Sequence, residues 1–110
     1  MELLTKLEEL VLIAVLKLKD KAYGISIYKF IVGITGKDVT VSTVYFPLER
    51  LVRKGYLQTK KGEPTPKRGG MRKKYYRITR SGIKALRENR SLNLRAWNGV
   101  VDLLKNTPGV

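Results

Sequence analysis

Apolar residues in the first part of the chain recur at helical spacing. They lie four, three, four and four residues apart, which predicts a helix over about residues 3–18. These positions are Leu3, Leu7, Leu10, Ala14 and Leu18. Residues 10–16 are all apolar, so every face of that stretch needs cover. In so short a chain, a second copy of the chain is a natural cover.

A second, shorter helix is predicted after a polar turn at residues 20–21. Ile27, Tyr28 and Ile31 fall on one face at helical spacing. Gly36 follows, and glycine is a common residue just beyond the end of a helix. The second helix is therefore expected to end near Gly36.

The third predicted helix has the clearest start and end. The Thr40 hydroxyl can accept a hydrogen bond from a free amide of the first turn, and Gly55 can end the helix. The buried stripe comprises Val44, Leu48 and Leu51. Pro47 removes one helical hydrogen bond and is expected to kink this helix. Two short helices separated by a polar gap, the second rich in exposed polar groups, form a helix-turn-helix pattern.

After the third helix the pattern changes from helical to alternating. Residues 56–60 place Leu57 and Thr59 on one face, and residues 74–78 supply a second strand. The intervening residues 61–70 are rich in glycine, proline and basic residues, so they are predicted to be irregular. The strands therefore form a hairpin with a long basic tip, which is called a wing.

A final helix is predicted from its N-cap, Thr79, to Pro108. Its apolar positions are three or four residues apart around Arg90: Ile83, Leu86, Leu94, Trp97, Val101 and Leu104. The expected fold class is mainly α with a small β-hairpin wing. It is a winged helix-turn-helix with three N-terminal helices and a two-stranded wing, plus a C-terminal dimerisation helix packed with helix one. The corresponding division is residues 1–79, residues 80–106 and a tail at residues 107–110.

The distribution of charge indicates the kind of partner. The 110-residue chain has a net charge of +14. Residues 53–90 carry 14 Lys and Arg against 2 Asp and Glu, whereas the remainder is nearly balanced. A basic segment on an otherwise balanced chain indicates a localised contact with a polyanion.

Composition also excludes most enzymatic chemistry. The chain has neither cysteine nor histidine, which removes disulfides, zinc sites of those ligands, thiol nucleophiles and the commonest general base. The acidic residues form no evident acid/base pair or metal cluster. We expect no enzyme, no cofactor and no metal.

The longest apolar run is also too short to form a membrane anchor. Residues 10–16 are bracketed by charged residues and cannot span a bilayer. The N-terminus lacks the pattern of a secretory signal. We expect a cytoplasmic protein with no membrane partner.

The third helix supplies the expected contacts to bases. In a helix-turn-helix, the second helix of the pair lies in the major groove of double-stranded DNA. Hydroxyls of Ser42 and Thr43 can bond to base edges or phosphates, Tyr45 can reach a phosphate, and Phe46 can contact a thymine methyl. The expected contacts on this helix are Thr40, Ser42, Thr43, Tyr45, Phe46 and Arg50. Alternatively, Ser42 and Thr43 only cap the helix and Tyr45 packs on the hairpin.

The wing supplies the expected contacts to the DNA backbone. Its basic residues flank Gly69 and Gly70, which suits phosphates or a narrow minor groove. They are Lys67, Arg68, Arg72, Lys73 and Lys74. The alternative is a charged surface that is merely solvated.

The last helix indicates self-association. Its distal apolar positions form a stripe of seven-residue character that a small winged core cannot cover. The predicted dimer interface comprises Leu3, Leu7 and Leu10 of helix one and Leu94, Trp97, Val101 and Leu104 of the last helix. The alternative is an intramolecular contact with helix one. Trp97 in such a seam is interpreted as interface rather than as a ligand platform.

Several motifs together resemble the PadR-like transcriptional regulators. They are Tyr23-Gly24, TVSTVY at 40–45, LERL at 48–51, KGYL at 54–57, and GGMRKKYYRIT at 69–79 with Gly82 and Leu86. The resemblance covers about residues 3–104. It implies a dimeric winged helix-turn-helix repressor of the subgroup with a single C-terminal helix, in which helix one and that helix form the dimer interface.

The resemblance also implies roles for individual residues. Residues around Ser42, Thr43 and Tyr45 meet DNA in this family. Several relatives release DNA when a phenolic or flat, drug-like molecule binds, and in some a tryptophan of the last helix stacks on that molecule. Trp97 lies where such a residue would be, which makes Trp97 and Val100 the candidate site for a small aromatic effector.

The chain departs from the family pattern at two positions of the third helix. Ser42 stands where the family usually has glycine. Phe46 stands where it usually has proline, and Pro47 is displaced by one position.

Three classes of function follow. The leading hypothesis is a sequence-specific regulator, a repressor that binds an inverted repeat with half-sites about one helical turn apart. The second is a non-specific basic nucleic-acid-binding or ribosome-associated protein that uses only the basic segment. The third is a winged helix used purely for protein contacts.

Overall fold

The computed structural model describes residues 2–64 and 72–110. In chain order, its helices and strands are α1 (Lys6–Leu18), a 3₁₀ turn (Lys19–Lys21), α2 (Gly24–Thr35), α3 (Val41–Arg53), β1 (Leu57–Pro64), β2 (Arg72–Ile78), α4 (Arg80–Trp97) and α5 (Val100–Asn106). The mainly helical fold with one antiparallel hairpin confirms the predicted fold class.

Helix α1 begins later than predicted because a pair of reciprocal hydrogen bonds fixes its first turn. The Thr5 hydroxyl accepts from the backbone amide of Glu8 at 3.1 Å, and the Glu8 carboxylate accepts from the amide of Thr5 at 2.8 Å. Leu3 therefore precedes the helix and is exposed. The predicted start at residue 3 was wrong by three residues.

Helices α2 and α3 have the ends that the sequence predicts. Gly36 ends α2 with a left-handed φ of 65°, and Gly55 follows α3 with a φ of 79°. Thr40 is the N-cap of α3 and accepts from the amide of Thr43. Pro47 is buried within α3, and the kink expected there stays a prediction.

Helix α1 lies at the centre of the core and contacts α2, α3, α4 and β2. The fully buried stripe of α3 is the predicted one, and the hairpin contributes two further side chains. The buried apolar residues are Val11, Leu12, Ala14, Val15, Ala22, Ile27, Ile31, Val44, Leu48, Leu51, Leu57 and Tyr76. The three N-terminal helices and the base of the hairpin therefore form one hydrophobic unit.

The hairpin strands extend further toward the tip than predicted. Leu57 pairs with Ile78, and pairing continues beyond Lys61 to residue 64 across an irregularity in register. The prediction that the irregular tip begins at residue 61 was therefore wrong, because Lys61 pairs with Lys74 and Pro64 pairs with Arg72. The tip itself, with Lys67 and Arg68, lies outside the described residues.

The C-terminal helix begins as predicted but is divided in two. The Thr79 hydroxyl accepts from the amide of Gly82 at 3.0 Å and donates to the carbonyl of Gly55 at 2.6 Å, which ties the start of α4 to the turn after α3. Helix α4 ends at Trp97, and α5 starts after Gly99, which has a φ of 80°. A left-handed residue cannot continue a right-handed helix, so one unbroken helix was the wrong expectation.

No helix within the described part of the chain is both long enough and apolar enough to cross a membrane.

Candidate nucleic-acid interface

The face of α3 opposite its buried stripe is open to solvent. Ser42, Phe46, Glu49 and Arg53 are all exposed there. Phe46 has 62% of its surface exposed, which is unusual for a large apolar side chain that lies next to a packed core. The exposed face of α3 therefore carries an apolar side chain, Phe46, near its first turn and a cation, Arg53, at its C-terminal end.

Three hydroxyls lie together at the start of α3. The Thr40 Oγ1 is 3.1 Å from the Ser42 Oγ and 2.7 Å from the Thr43 Oγ1, and all three residues are exposed. Thr40 itself caps the helix. The hydroxyls of Ser42 and Thr43 thus surround a helix N-terminus, where free backbone amides favour an anion such as phosphate.

Tyr45, which was expected to reach a phosphate, does not project freely from α3. It is half-buried and packs against the core. A β-carbon at Gly24 would overlap the Tyr45 hydroxyl and ring, so the backbone of α2 lies directly against this side chain. The ring is therefore fixed between α2 and α3, and its phosphate contact stays a prediction.

Arg50 points toward α1 rather than along the exposed face. Its Nε lies 3.7 Å from the Oε2 of Glu8, a residue that is only 1% exposed. The Nζ of Lys54 lies 2.8 Å from the same oxygen and 2.6 Å from the Oε1 of Glu2. These ion pairs fasten the C-terminal end of α3 to the start of α1, and the DNA contact expected of Arg50 stays a prediction.

The ionisation of Glu8 and Lys54 follows from this arrangement. Burial by itself would raise the pKa of Glu8, but hydrogen bonds from Lys54 and Thr5 outweigh it and hold the pKa below its ordinary value of 4.5. Burial would lower the pKa of Lys54, but its bonds to Glu2 and Glu8 raise it above 10.5. Both groups are therefore charged at neutral pH.

The hairpin continues the exposed surface of α3. Lys74 and the end of α3 share a cleft of about 320 Å³, which is lined by Glu49, Val52, Arg53, Thr59, Lys74 and Tyr76. Burial raises the pKa of Tyr76, and the nearby Tyr45 and Glu49 add to the rise. Lys73 points elsewhere, because its Nζ lies 4.0 Å from the centre of the Tyr23 ring. The side chain of Arg72 is not among those described.

Four further residues on or beside the hairpin were missed by the sequence reasoning. Lys60, Lys61 and Arg77 are exposed on the strands of the hairpin. Lys60 and Arg77 lie within the two predicted strands, where alternation could have found them, whereas Lys61 was assigned to the irregular tip. Tyr23 was quoted only as part of a motif, and nothing in the sequence pairs it with Lys73.

The predicted dimer residues fall into two groups. Leu7 and Leu10 are half-buried and pack against the core of their own chain. The other five are exposed: Leu3, Leu94, Trp97, Val101 and Leu104. Leu103 of α5 is exposed as well and was not predicted. Val100 is half-buried. The dimer interface and the effector site stay predictions.

An apolar groove lies between α1 and α4. It has a volume of about 600 Å³ and is lined by Glu9, Ile13, Leu16, Ile83, Leu86, Arg87 and Arg90. The amides of Asn89 and Asn93 donate to the Glu9 Oε2 at 2.8 and 3.2 Å beside it. These hydrogen bonds attach α4 to α1.

Among residues 2–64 and 72–110, no group of acidic side chains is arranged to hold a metal ion.

A three-helix unit with an open third helix and an adjoining basic hairpin defines a winged helix-turn-helix DNA-binding domain. The model of the Transcriptional regulator PadR-like family matches residues 12–88, well over half of the chain. The chain belongs to this family, as its motifs predicted. PadR-family regulators are non-enzymatic DNA-binding proteins, so the chain is a DNA-binding transcriptional regulator and not an enzyme.

Solved structures of similar proteins cover most of the chain. A protein from Streptococcus mutans UA159 is 32% identical, with 87% of this chain and 86% of that chain covered and a TM-score of 0.66. A PadR family transcriptional regulator from Eggerthella lenta DSM 2243 is 28% identical, with coverages of 89% and 83% and a TM-score of 0.68. A transcriptional regulator from Clostridium thermocellum is 26% identical, with coverages of 94% and 90% and a TM-score of 0.67. No curated protein matches the chain.

Proposed function

We propose that the chain is a homodimeric, cytoplasmic repressor that binds an inverted-repeat operator. One observation carries the DNA-binding mode: the open face of α3 and Lys74 of the hairpin meet in one cleft and form a continuous surface. Helix α3 then occupies the major groove, and the hairpin lies on the neighbouring phosphates. Residues 1–79 form the DNA-binding unit, residues 80–106 form the dimerisation unit, and residues 107–110 form a tail.

Base recognition is assigned to the exposed start of α3. Phe46 has 62% of its surface exposed, so a thymine methyl can pack on it. Ser42 lies on the same exposed face and can bond to a base edge or phosphate. Cations on the strands and at the end of α3 act on phosphates, which position the protein without reading sequence.

A binding experiment separates the two kinds of contact. Phe46→Ala should lower affinity for the operator and reduce its preference over a duplex with the contacted thymine replaced by uracil, which lacks the methyl group. Lys74→Ala should weaken binding to both duplexes equally. Fluorescence anisotropy at fixed salt measures the six affinities, those of the wild type and the two variants for each duplex. Equal discrimination by Phe46→Ala and the wild type would remove Phe46 from the base contacts.

Dimerisation is supported by the apolar surface that α4 and α5 leave open. Leu94 and Trp97 are 60% and 55% exposed, and Val101, Leu103 and Leu104 of α5 extend this surface. The groove between α1 and α4 is a second apolar surface. A twofold dimer that covers both would present two copies of α3, as an inverted repeat requires.

Sedimentation equilibrium tests the dimer. Leu94→Glu should place a charge in the interface and shift the protein toward the monomer. Arg95→Glu is the control, because it introduces a glutamate at the neighbouring position but replaces a side chain that is already charged. Operator affinity should fall with the first variant far more than with the second. A wild-type protein that is monomeric at micromolar concentration would contradict the proposal.

The effector site is proposed at Trp97 and Val100, between the two copies. Trp97 is the only tryptophan of the chain, so its fluorescence reports directly on a bound aromatic molecule. We expect a phenolic acid or a planar aromatic cation to quench this fluorescence and to release the operator in the same concentration range. Quenching without release would indicate a ligand that does not regulate DNA binding.

A further inference from the structure

Lys73 and Lys74 are neighbours in sequence but lie on opposite faces of the hairpin. Successive residues of a strand point to opposite sides. Lys74 lines the cleft that the hairpin forms with α3, whereas the Nζ of Lys73 lies over the Tyr23 ring. One basic motif in the sequence therefore supplies two cations with different surroundings.

An aromatic cluster holds Lys73 on its face of the hairpin. The Nζ of Lys73 is 4.0 Å from the centre of the Tyr23 ring, within the range of a favourable cation–π interaction. The rings of Tyr23 and Tyr75 meet edge to face, with centres 5.7 Å apart and an angle of 70°. Tyr75 also covers Gly62, where a β-carbon would lie 2.5 Å from ring carbon Cε2. We call Tyr23, Lys73 and Tyr75 the aromatic clamp.

The clamp joins the hairpin to the first residues of the helix-turn-helix. Tyr23 is the N-cap of α2 and forms a β-bridge with Tyr75. The amide of Tyr76 donates to the carbonyl of Ala22 at 2.8 Å beside this bridge. The hairpin is thus attached at one strand edge to the helix pair that carries α3, and the side chains of the clamp close over that attachment.

We propose that Lys73 is a positioning residue that sets the angle of the wing through Tyr23, and that Lys74 is the residue of this pair that contacts DNA phosphate. This inference rests on the proposed DNA-binding mode of α3 and the wing. The two lysines then have different roles. Loss of Lys74 removes a phosphate contact, whereas loss of Lys73 leaves the phosphate contacts in place and makes the position of the wing less fixed.

The salt dependence of DNA binding distinguishes these two roles. Each neutralised phosphate contributes about 0.9 to the slope of log affinity against log salt concentration. Lys74→Met should therefore lower the slope by about 0.9 per subunit. Lys73→Met should leave the slope unchanged and weaken binding about two- to fivefold per subunit at every salt concentration, the factor expected from an exposed cation–π contact. Both variants lose one charge and gain the same side chain.

Substitutions of Tyr23 test whether Lys73 acts through the ring. Tyr23→Leu should reproduce the effect of Lys73→Met, and the double variant should bind no more weakly than the weaker single variant. Tyr23→Phe keeps the aromatic face, so both affinity and slope should stay at the wild-type value. Lys73→Arg keeps a cation over the ring and should do the same. Should Tyr23→Leu fail to fold, the comparison of Lys73→Met with Lys74→Met decides the question alone.

Two results would overturn the clamp. A slope lowered equally by Lys73→Met and Lys74→Met would show that both lysines contact phosphate. Losses from Tyr23→Leu and Lys73→Met that multiply in the double variant would show that the residues act independently. A wild-type protein whose affinity for DNA does not depend on salt would instead contradict the proposed function, so the two failures are distinguishable.

Discussion

Replacement of Gly82 by alanine should destabilise the protein because the first turn of α4 lies against backbone. An added β-carbon would overlap the carbonyl oxygen of Tyr56 and lie 2.8 Å from the Cγ1 of Ile78. The Tyr56 carbonyl also accepts from the amide of Thr79 at 3.0 Å, so it cannot move without disturbing the start of the helix. Overpacking of this kind costs about 1–3 kcal/mol.

Gly33→Ala is the matched control because it makes the same chemical change in open space. Gly33 lies within α2, and nothing stands within 4 Å of an added β-carbon. Alanine is favoured over glycine in a helix by about 0.5–1 kcal/mol, so this variant should be more stable than the wild type. The helical preference for alanine largely cancels when the two variants are compared. The difference of about 1–3 kcal/mol between their free energies of unfolding therefore measures the contact at Gly82.

Urea denaturation monitored by circular dichroism checks the prediction at one fixed protein concentration, since a dimer's stability depends on concentration. In thermal scans, 1 kcal/mol corresponds to about 4 °C in Tm for a chain of this size. Gly82→Ala should therefore melt about 4–12 °C below Gly33→Ala. Equal midpoints for the two variants would refute the close approach of α4 to Tyr56.

Two other substitutions test further contacts. Gly24→Ala should destabilise less than Gly82→Ala, because the atoms in its way belong to the end of the Tyr45 side chain, which can shift more easily than backbone. Adding Tyr45→Phe, which removes the hydroxyl, should recover part of the loss in the same denaturation series. Glu8→Gln should make the free energy of unfolding depend less on pH in the acid range. The lowered pKa of Glu8 means that its charge stabilises the fold above about pH 4.5 and that this contribution is lost as pH falls through the folded-state value. Between pH 7 and pH 3, the urea midpoint of the wild type should fall toward that of the variant. A constant difference between the two midpoints over this pH range would count against the buried ion pair.

The local signals in the sequence predicted the elements well where one residue determines one boundary. Gly36 acts through its own backbone and Thr40 through its own hydroxyl, so α2 ends and α3 begins as expected. The start of α1 depends on a reciprocal bond between Thr5 and Glu8 that the apolar spacing does not contain. The break before α5 depends on Gly99, whose left-handed conformation is one of several that glycine can adopt.

The candidate interface was less predictable because it depends on contacts between distant segments. Helical geometry placed Ser42 and Phe46 correctly on the open face, since that face is set by α3 alone. The contact of Arg50 with Glu8 could not be foreseen, because Glu8 lies 42 positions earlier in the sequence. Lys73 and Lys74 are indistinguishable as letters in a basic run, and only the hairpin register and the position of Tyr23 separate them.

Selection of bound sites from a random duplex library at physiological salt tests the central claim most directly. The account predicts enrichment of an inverted repeat with half-sites about one helical turn apart, because two copies of α3 read the groove from one side of the duplex. Phe46→Ala should alter the enriched bases, and Lys74→Met should weaken binding without altering them. No enriched motif, with binding that follows only the charge of the competitor, would contradict a sequence-specific regulator and favour a non-specific nucleic-acid-binding protein.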